Sequence, residues 1–274
     1  MPWYERGNNR LWYEDRGTGP ALVLLHGWCM SSAVWRFQFE EMSAAYRVIA
    51  PDLAGHGTSA QSAAGYTFEG LAADIVALFR HLDLRDAVLA GWSMGAQAAI
   101  QAFEPLRDQL AGLVLVAATP RFTAEEGFPW GLAPIEAKGM TVKLRRDARR
   151  ALGAFTDRMF APGELDDPHL AARILDLLGA VPIPGVDVAL QNLAALVDAD
   201  MRPLLPGIDL PTLIVNGDRD VICLPGASDC LARQIALSSQ VVMHGCGHAP
   251  FLTRSREFAA CLADFSRRVR ERSR

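Results

Sequence analysis

Short apolar runs of strand length recur along this chain, separated by stretches with helical patterning, and the alternation restricts it to repeated strand–helix–strand units. The runs lie at 21–25, 47–50, 87–90, 113–116, 212–215 and 240–243. Their near-continuous apolar character is that of parallel strands buried on both faces. Residues 68–81 and 94–103 read as helices between runs, 256–270 as a closing helix, and 9–14 as an antiparallel edge strand. The expected fold class is α/β, with a mostly parallel central sheet flanked by helices.

Between the runs at 113–116 and 212–215 the alternation stops, and helical pattern with Pro and Gly breaks takes over. So long a connection without structure of its own is uncommon in a compact domain. Residues 120–195 are therefore expected to form a helical cap, inserted in a core made of 1–119 and 196–274.

A chain of 274 residues that is half apolar can bury one substantial core. Its formal net charge of −4 gives no overall attraction to nucleic acid. The five cysteines are scattered and form no C-x-x-C pair, which reads as reduced thiols. No apolar stretch has the length of a signal peptide or a membrane span. A soluble cytoplasmic protein is expected, without cofactor or metal.

Gly91-Trp92-Ser93-Met94-Gly95 follows the apolar run 87–90 directly and precedes a helix of small residues. A G-x-S-x-G set between strand and helix makes a sharp turn that lifts the serine hydroxyl above the sheet edge. A serine hydroxyl is a weak nucleophile, so a base must take its proton and a third group must orient that base. His248 lies on the Gly-rich loop Gly245-Cys246-Gly247-His248-Ala249-Pro250 before the closing helix; His244 competes but abuts the strand. The spacing of His244 and His248 also resembles a metal pair, but glycines at 245 and 247 forbid the helix such sites need. For the acid, Asp220 is preferred to Asp218 in Asn216-Gly217-Asp218-Arg219-Asp220, since Asp218 is nearer the strand and suited to bonding the turn backbone.

Attack on a carbonyl builds negative charge on its oxygen, which two waiting N–H groups must hold. The Met94 amide follows the nucleophile, and the Trp28 amide lies on the loop after 21–25. His26 is expected to order that loop, residues 51–59 to form a structural border, and Cys29 and Cys223 to be packing residues.

The cap is polarised. Residues 138–158 hold seven basic side chains against two acidic ones, a net +5 that leaves −9 for the rest of the chain. Read as one helix, Arg145/Arg149 and Arg146/Arg150 are like-charge i,i+4 pairs, which disfavour an isolated helix. Either they form a solvated face or they dock an acidic partner beside the pocket mouth.

Together these segments, with Val34-Trp35-Arg36, Pro184-Gly185-Val186-Asp187-Val188 and Gly247-His248-Ala249-Pro250-Phe251, resemble the pimeloyl-[acyl-carrier protein] methyl ester esterases of biotin synthesis, within the α/β-hydrolases. The resemblance implies hydrolysis of a pimeloyl-acyl-carrier protein methyl ester, with Ser93, Asp220 and His248 as triad and the Trp28 and Met94 amides as oxyanion hole. It makes Trp28 and Phe155 substrate-lining residues. Arg146, Arg149, Arg150 and Arg158 become candidates for holding the acidic carrier protein. One departure is Ala96, where the family often has glycine. A general carboxylesterase or lactonase remains the alternative, and a non-catalytic binding protein fits worst with an intact nucleophile, base and acid.

Overall fold

The computed structural model describes residues 2–62 and 65–272, so the outermost limits expected for the core, residues 1 and 274, lie outside the described residues. The chain begins with strands β1 (Trp3–Arg6), β2 (Asn9–Arg16) and β3 (Ala21–Leu25), then helix α1 (Arg36–Met42) and strand β4 (Arg47–Pro51). Helix α2 (Phe68–His81), strand β5 (Ala87–Trp92), helix α3 (Met94–Leu106) and strand β6 (Leu110–Val116) follow. Four helices come next: α4 (Pro134–Arg146), α5 (Ala148–Asp157), α6 (Pro168–Gly179) and α7 (Val186–Asp198). Strand β7 (Thr212–Gly217), helix α8 (Pro225–Gln234), strand β8 (Ser238–Met243) and helices α9 (Pro250–Thr253) and α10 (Ser255–Arg272) complete the order.

One sheet holds all eight described strands in the order β1-β2-β4-β3-β5-β6-β7-β8. From β4 to β8 every pairing is parallel; β2 is antiparallel to both neighbours. Burial follows from this arrangement. Strands β3, β5, β6 and β7 are buried at every residue, because helices lie over both faces, whereas antiparallel β2 alternates. Helix α1 packs on α10, and α2 on α3.

The expected 9–14 strand runs two residues further and pairs with β1, which the sequence reading missed. Four residues closed by a turn at Gly7 give too little periodicity to register. Helices do fill much of 120–195, but entry to this region is not helical: isolated bridges join Thr123 to Leu132 and Glu125 to Phe128. Its last helix passes residue 195 and ends at Asp198.

The basic run is corrected in the same way. It is not one helix, because Asp147 in extended backbone (φ −161°) ends α4 and caps α5, its side chain accepting from the Arg150 N–H at 3.0 Å. The supposed i,i+4 arginine pairs therefore straddle two helices. Lys143, Arg145 and Arg146 then fall in the last turn of α4, where the helix dipole favours cations. No described helix is long and apolar enough to cross a membrane.

Candidate active site

The turn at Ser93 is built from backbone approaches that its glycines allow. Ser93 takes φ +56° and ψ −116°, a region costly for any residue with a side chain. Neighbouring bonds hold it there: its N–H donates to Val116 O at 3.0 Å, and its carbonyl accepts from Ala96 N–H at 2.9 Å. A Cβ on Gly91 would stand 2.2 Å from Gly95 O, and one on Gly95 2.5 Å from Leu25 O. Both glycines are thus required by close approach of backbone. The methyl of Ala96, by contrast, is fully buried in a helix that accommodates it.

On the far side of the sheet edge, the loop after β7 bends back so that Asp220 meets the loop after β8. Asp220 Oδ2 bonds His248 Nδ1 at 2.8 Å, while Oδ1 accepts from the Ile222 and Cys223 amides at 2.8 and 3.0 Å. Asp220 and His248 are almost fully buried, at 2% and 1% exposure, so water does not compete for their bond. A carboxylate on Nδ1 leaves Nε2 as the nitrogen able to accept a proton. That nitrogen is buried and unpartnered among the described residues. The Cys223 thiol lies close enough to interact with the Ser93 side chain, and rotation about the serine Cα–Cβ bond is what would turn its hydroxyl towards His248. Burial holds the Cys223 thiol well above its ordinary range, so it stays protonated. Sequence reasoning gave Cys223 a packing role alone; its place beside Ser93, 130 positions earlier in the chain, left no local sign.

Asp218 lies elsewhere. Its Oδ1 accepts from Gly245 N–H at 2.7 Å and its Oδ2 meets the exposed His244 at 3.0 Å. It ties the two loops together at the surface and does not approach His248.

The loop after β3 supplies a second wall. Neither the Trp28 nor the Met94 amide N–H has a hydrogen-bond partner among the described residues. The Trp28 indole donates to Ala189 O in α7 at 3.0 Å and packs edge-on to Phe155 in α5, ring centres 5.0 Å apart. These rings, with Phe122, Met140, Leu193 and Ile222, enclose a cavity of about 20 Å³. A groove of about 270 Å³ between α5 and α6 borders the other side of Phe155 and reaches Arg149 at the surface. A separate cleft of about 660 Å³ beside α2 and α3 touches none of these residues.

His26 accepts the Leu53 N–H at 3.0 Å through Nε2 and pairs with Gly27 O at 2.8 Å through Nδ1. That pattern needs a neutral ring, and burial lowers its pKa to about 4. His56, its ring 5.1 Å away, is lowered to about 3 by burial and then by His26. Unfolded, both would titrate near 6.5. The unfolded chain therefore binds more protons below that value, so stability is lost as pH falls from about 6.5 towards about 4. Thermal melts at about pH 7 and about pH 5 should show this loss, and His56→Asn should shrink the difference; an unchanged difference would assign it to other groups.

Arg146, Arg149, Arg150 and Arg158 are all exposed. Arg158 is not free: it pairs with Glu136 at 3.1 Å and donates to Val221 O at 3.4 Å, across the edge of the enclosed cavity.

A family model described as the alpha/beta hydrolase fold matches residues 20–255. A pimeloyl-[acyl-carrier protein] methyl ester esterase of Nitrosomonas europaea is 34% identical over 90% of this chain and 96% of its own. The esterase of the same name from Nitrosospira multiformis is 31% identical over 95% of this chain and 100% of its own. Among solved structures, an esterase from Exiguobacterium antarcticum superposes with a TM-score of 0.89 at 27% identity, covering 97% and 98% of the two chains. By family match, identity and architecture alike, this chain belongs to the α/β-hydrolases, in the group of the pimeloyl-[acyl-carrier protein] methyl ester esterases, and is a carboxylic ester hydrolase.

Proposed function

We propose that the protein hydrolyses the methyl ester of pimeloyl-acyl-carrier protein in the cytoplasm, as a step of biotin synthesis, with Ser93, His248 and Asp220 as its triad. The buried Asp220–His248 bond beside the strained Ser93 carries the chemistry. The substrate rests on the names of the curated relatives. Ser93 Oγ attacks the ester carbonyl carbon as His248 Nε2 takes its proton, and the Trp28 and Met94 amides hold the oxyanion. The intermediate collapses, and methanol leaves with the proton from His248. Water then attacks the acyl-serine, His248 again taking the proton; the carboxylic acid departs and Ser93 is restored. Trp28 and Phe155 wall the acyl chain, residues 120–195 act as a cap on the core, and Arg146, Arg149 and Arg150 meet the acidic carrier. Arg158 serves better as a closure over the cavity, since Glu136 already neutralises it.

Purified protein should release methanol and free acid from a pimeloyl-carrier methyl ester. Charge reversal at Arg146, Arg149 and Arg150 together should raise KM for that substrate about tenfold or more at low salt, with the effect shrinking as salt screens the attraction. Hydrolysis of p-nitrophenyl butyrate, which carries no such charge, should barely change. Equal effects on both substrates, or no turnover of the carrier ester by an otherwise active enzyme, would favour a general carboxylesterase or lactonase.

A further inference from the structure

The backbone of His248 is gripped from two directions. Its carbonyl accepts from the indole Nε1 of Trp92 at 2.8 Å, which ties it to the nucleophile turn. Its N–H donates to Met159 O at 2.7 Å, which ties it to the segment just after α5. Met159 does not hold this position alone. Five residues on, the Glu164 carboxylate faces the same loop: Oε2 accepts from the Gly247 N–H at 2.8 Å and from the Ala161 N–H at 2.7 Å, and Oε1 accepts from the Thr253 hydroxyl of α9. One side chain thus joins the segment 159–164, the residue before the base and the helix after it.

The fit around these bonds leaves no slack. A Cβ on Gly247 would lie 2.4 Å from Met159 O, so only glycine lets the two strands of backbone approach this closely. Gly217, at the end of β7, is pressed against the same loop, with Cys246 O and Gly247 O each 2.2 Å from where its Cβ would be. Burial, followed by the nearby Glu164 carboxylate, pushes the Cys246 thiol up to about 11, which keeps a second negative charge out of the cluster.

We infer that Glu164 is a positioning residue for the catalytic base: by holding Gly247 and Ala161 on one carboxylate oxygen it fixes the height and angle at which His248 is presented to Ser93. The inference rests on His248 being the base. Glu164 touches neither substrate nor the imidazole, and acts through the loop backbone. Without it, the Asp220–His248 bond can re-form in several orientations, of which few aim Nε2 at the serine. A misplacement of about 1 Å at a reacting group can cost about 100-fold in rate. The carboxylate's geometry, more than its charge, is what the loop needs, because both donors on Oε2 are neutral amides.

Three variants separate the two. Glu164→Gln can place its carbonyl oxygen where Oε2 stands and its amide beside the Thr253 hydroxyl, which can accept, so kcat should stay within about threefold of wild type. Glu164→Asp keeps the charge but loses a methylene of reach, and should lower kcat about tenfold. Glu164→Ala should lower kcat about 10- to 100-fold with KM for p-nitrophenyl butyrate within about twofold. Proton NMR of the low-field imidazole N–H between His248 and Asp220 should show that resonance shifted or broadened in the Asp and Ala variants and restored in Gln. If Ala fails to fold, the Asp and Gln pair carries the same comparison. A normal kcat and an unmoved resonance in Glu164→Asp and Glu164→Ala, with only a lower Tm, would overturn the inference and leave Glu164 a structural bond. Activity retained by His248→Ala would instead overturn the assignment of the base.

Discussion

Ser93→Ala is expected to lower kcat/KM for any ester substrate by about 10⁵-fold or more while leaving the thermal unfolding transition within a few degrees of wild type. The substitution removes the attacking oxygen and changes little volume. Alanine still has to adopt φ +56°, the strain being already present with serine, so the fold is not asked for anything new. Binding and the two amides proposed for the oxyanion remain, which is why some acceleration over water should survive. The loss should also be nearly complete on its own, so that adding His248→Ala costs little more; groups that act as a unit are far from additive. Turnover of p-nitrophenyl butyrate by pure Ser93→Ala protein at more than about a hundredth of the wild-type rate would place the nucleophile elsewhere.

Asp220→Asn should be almost as damaging, by about 10³- to 10⁴-fold in kcat, through the imidazole's tautomer. Oδ1 of Asp220 accepts two amide N–H bonds, from Ile222 and Cys223. Asparagine must keep its only oxygen there, because turning its NH₂ towards two donors would cost both bonds. The NH₂ therefore replaces Oδ2 and donates to His248 Nδ1, which forces the ring proton onto Nε2. The base then presents a hydrogen to Ser93 where it needs a lone pair. Asp218→Asn is the control: its carboxylate serves Gly245 and the exposed His244, so kcat should change less than about threefold. A larger loss at 218 than at 220 would exchange the two roles.

The core strands and the serine turn could be read in the sequence because each is dictated locally. A strand covered on both faces, such as Leu110–Val116, must be apolar at every position, and the crowded turn tolerates only glycine at 91 and 95. The choice between Asp218 and Asp220 was less determined, since both residues follow β7 by a few positions. What separates them is the curl of the loop, which turns Asp220 back onto the amides of Ile222 and Cys223. The break between α4 and α5 did leave a local trace, an aspartate at a suitable capping position, but the surrounding basic run masked it. Other features had no local trace at all. Contacts between Ser93 and Cys223, or between Arg158 and Glu136, join positions on different elements, and the residues involved look ordinary in their own segments.

The chamber behind Trp28 and Phe155, at about 20 Å³, holds roughly one water molecule and no acyl chain. On the proposal that Trp28 and Phe155 wall the acyl chain, turnover includes an opening step in which their contact parts and the Arg158–Glu136 pair shifts. A substrate that makes most of its contacts outside the chamber can use that binding energy to stabilise the opened form, while a small free ester must wait for it to occur spontaneously. Size selection in such an enzyme runs backwards from that of an open pocket: the larger ligand enters more readily. Turnover of small esters should then be limited by a conformational event whose rate responds to solvent viscosity and temperature more than to the reactivity of the leaving group.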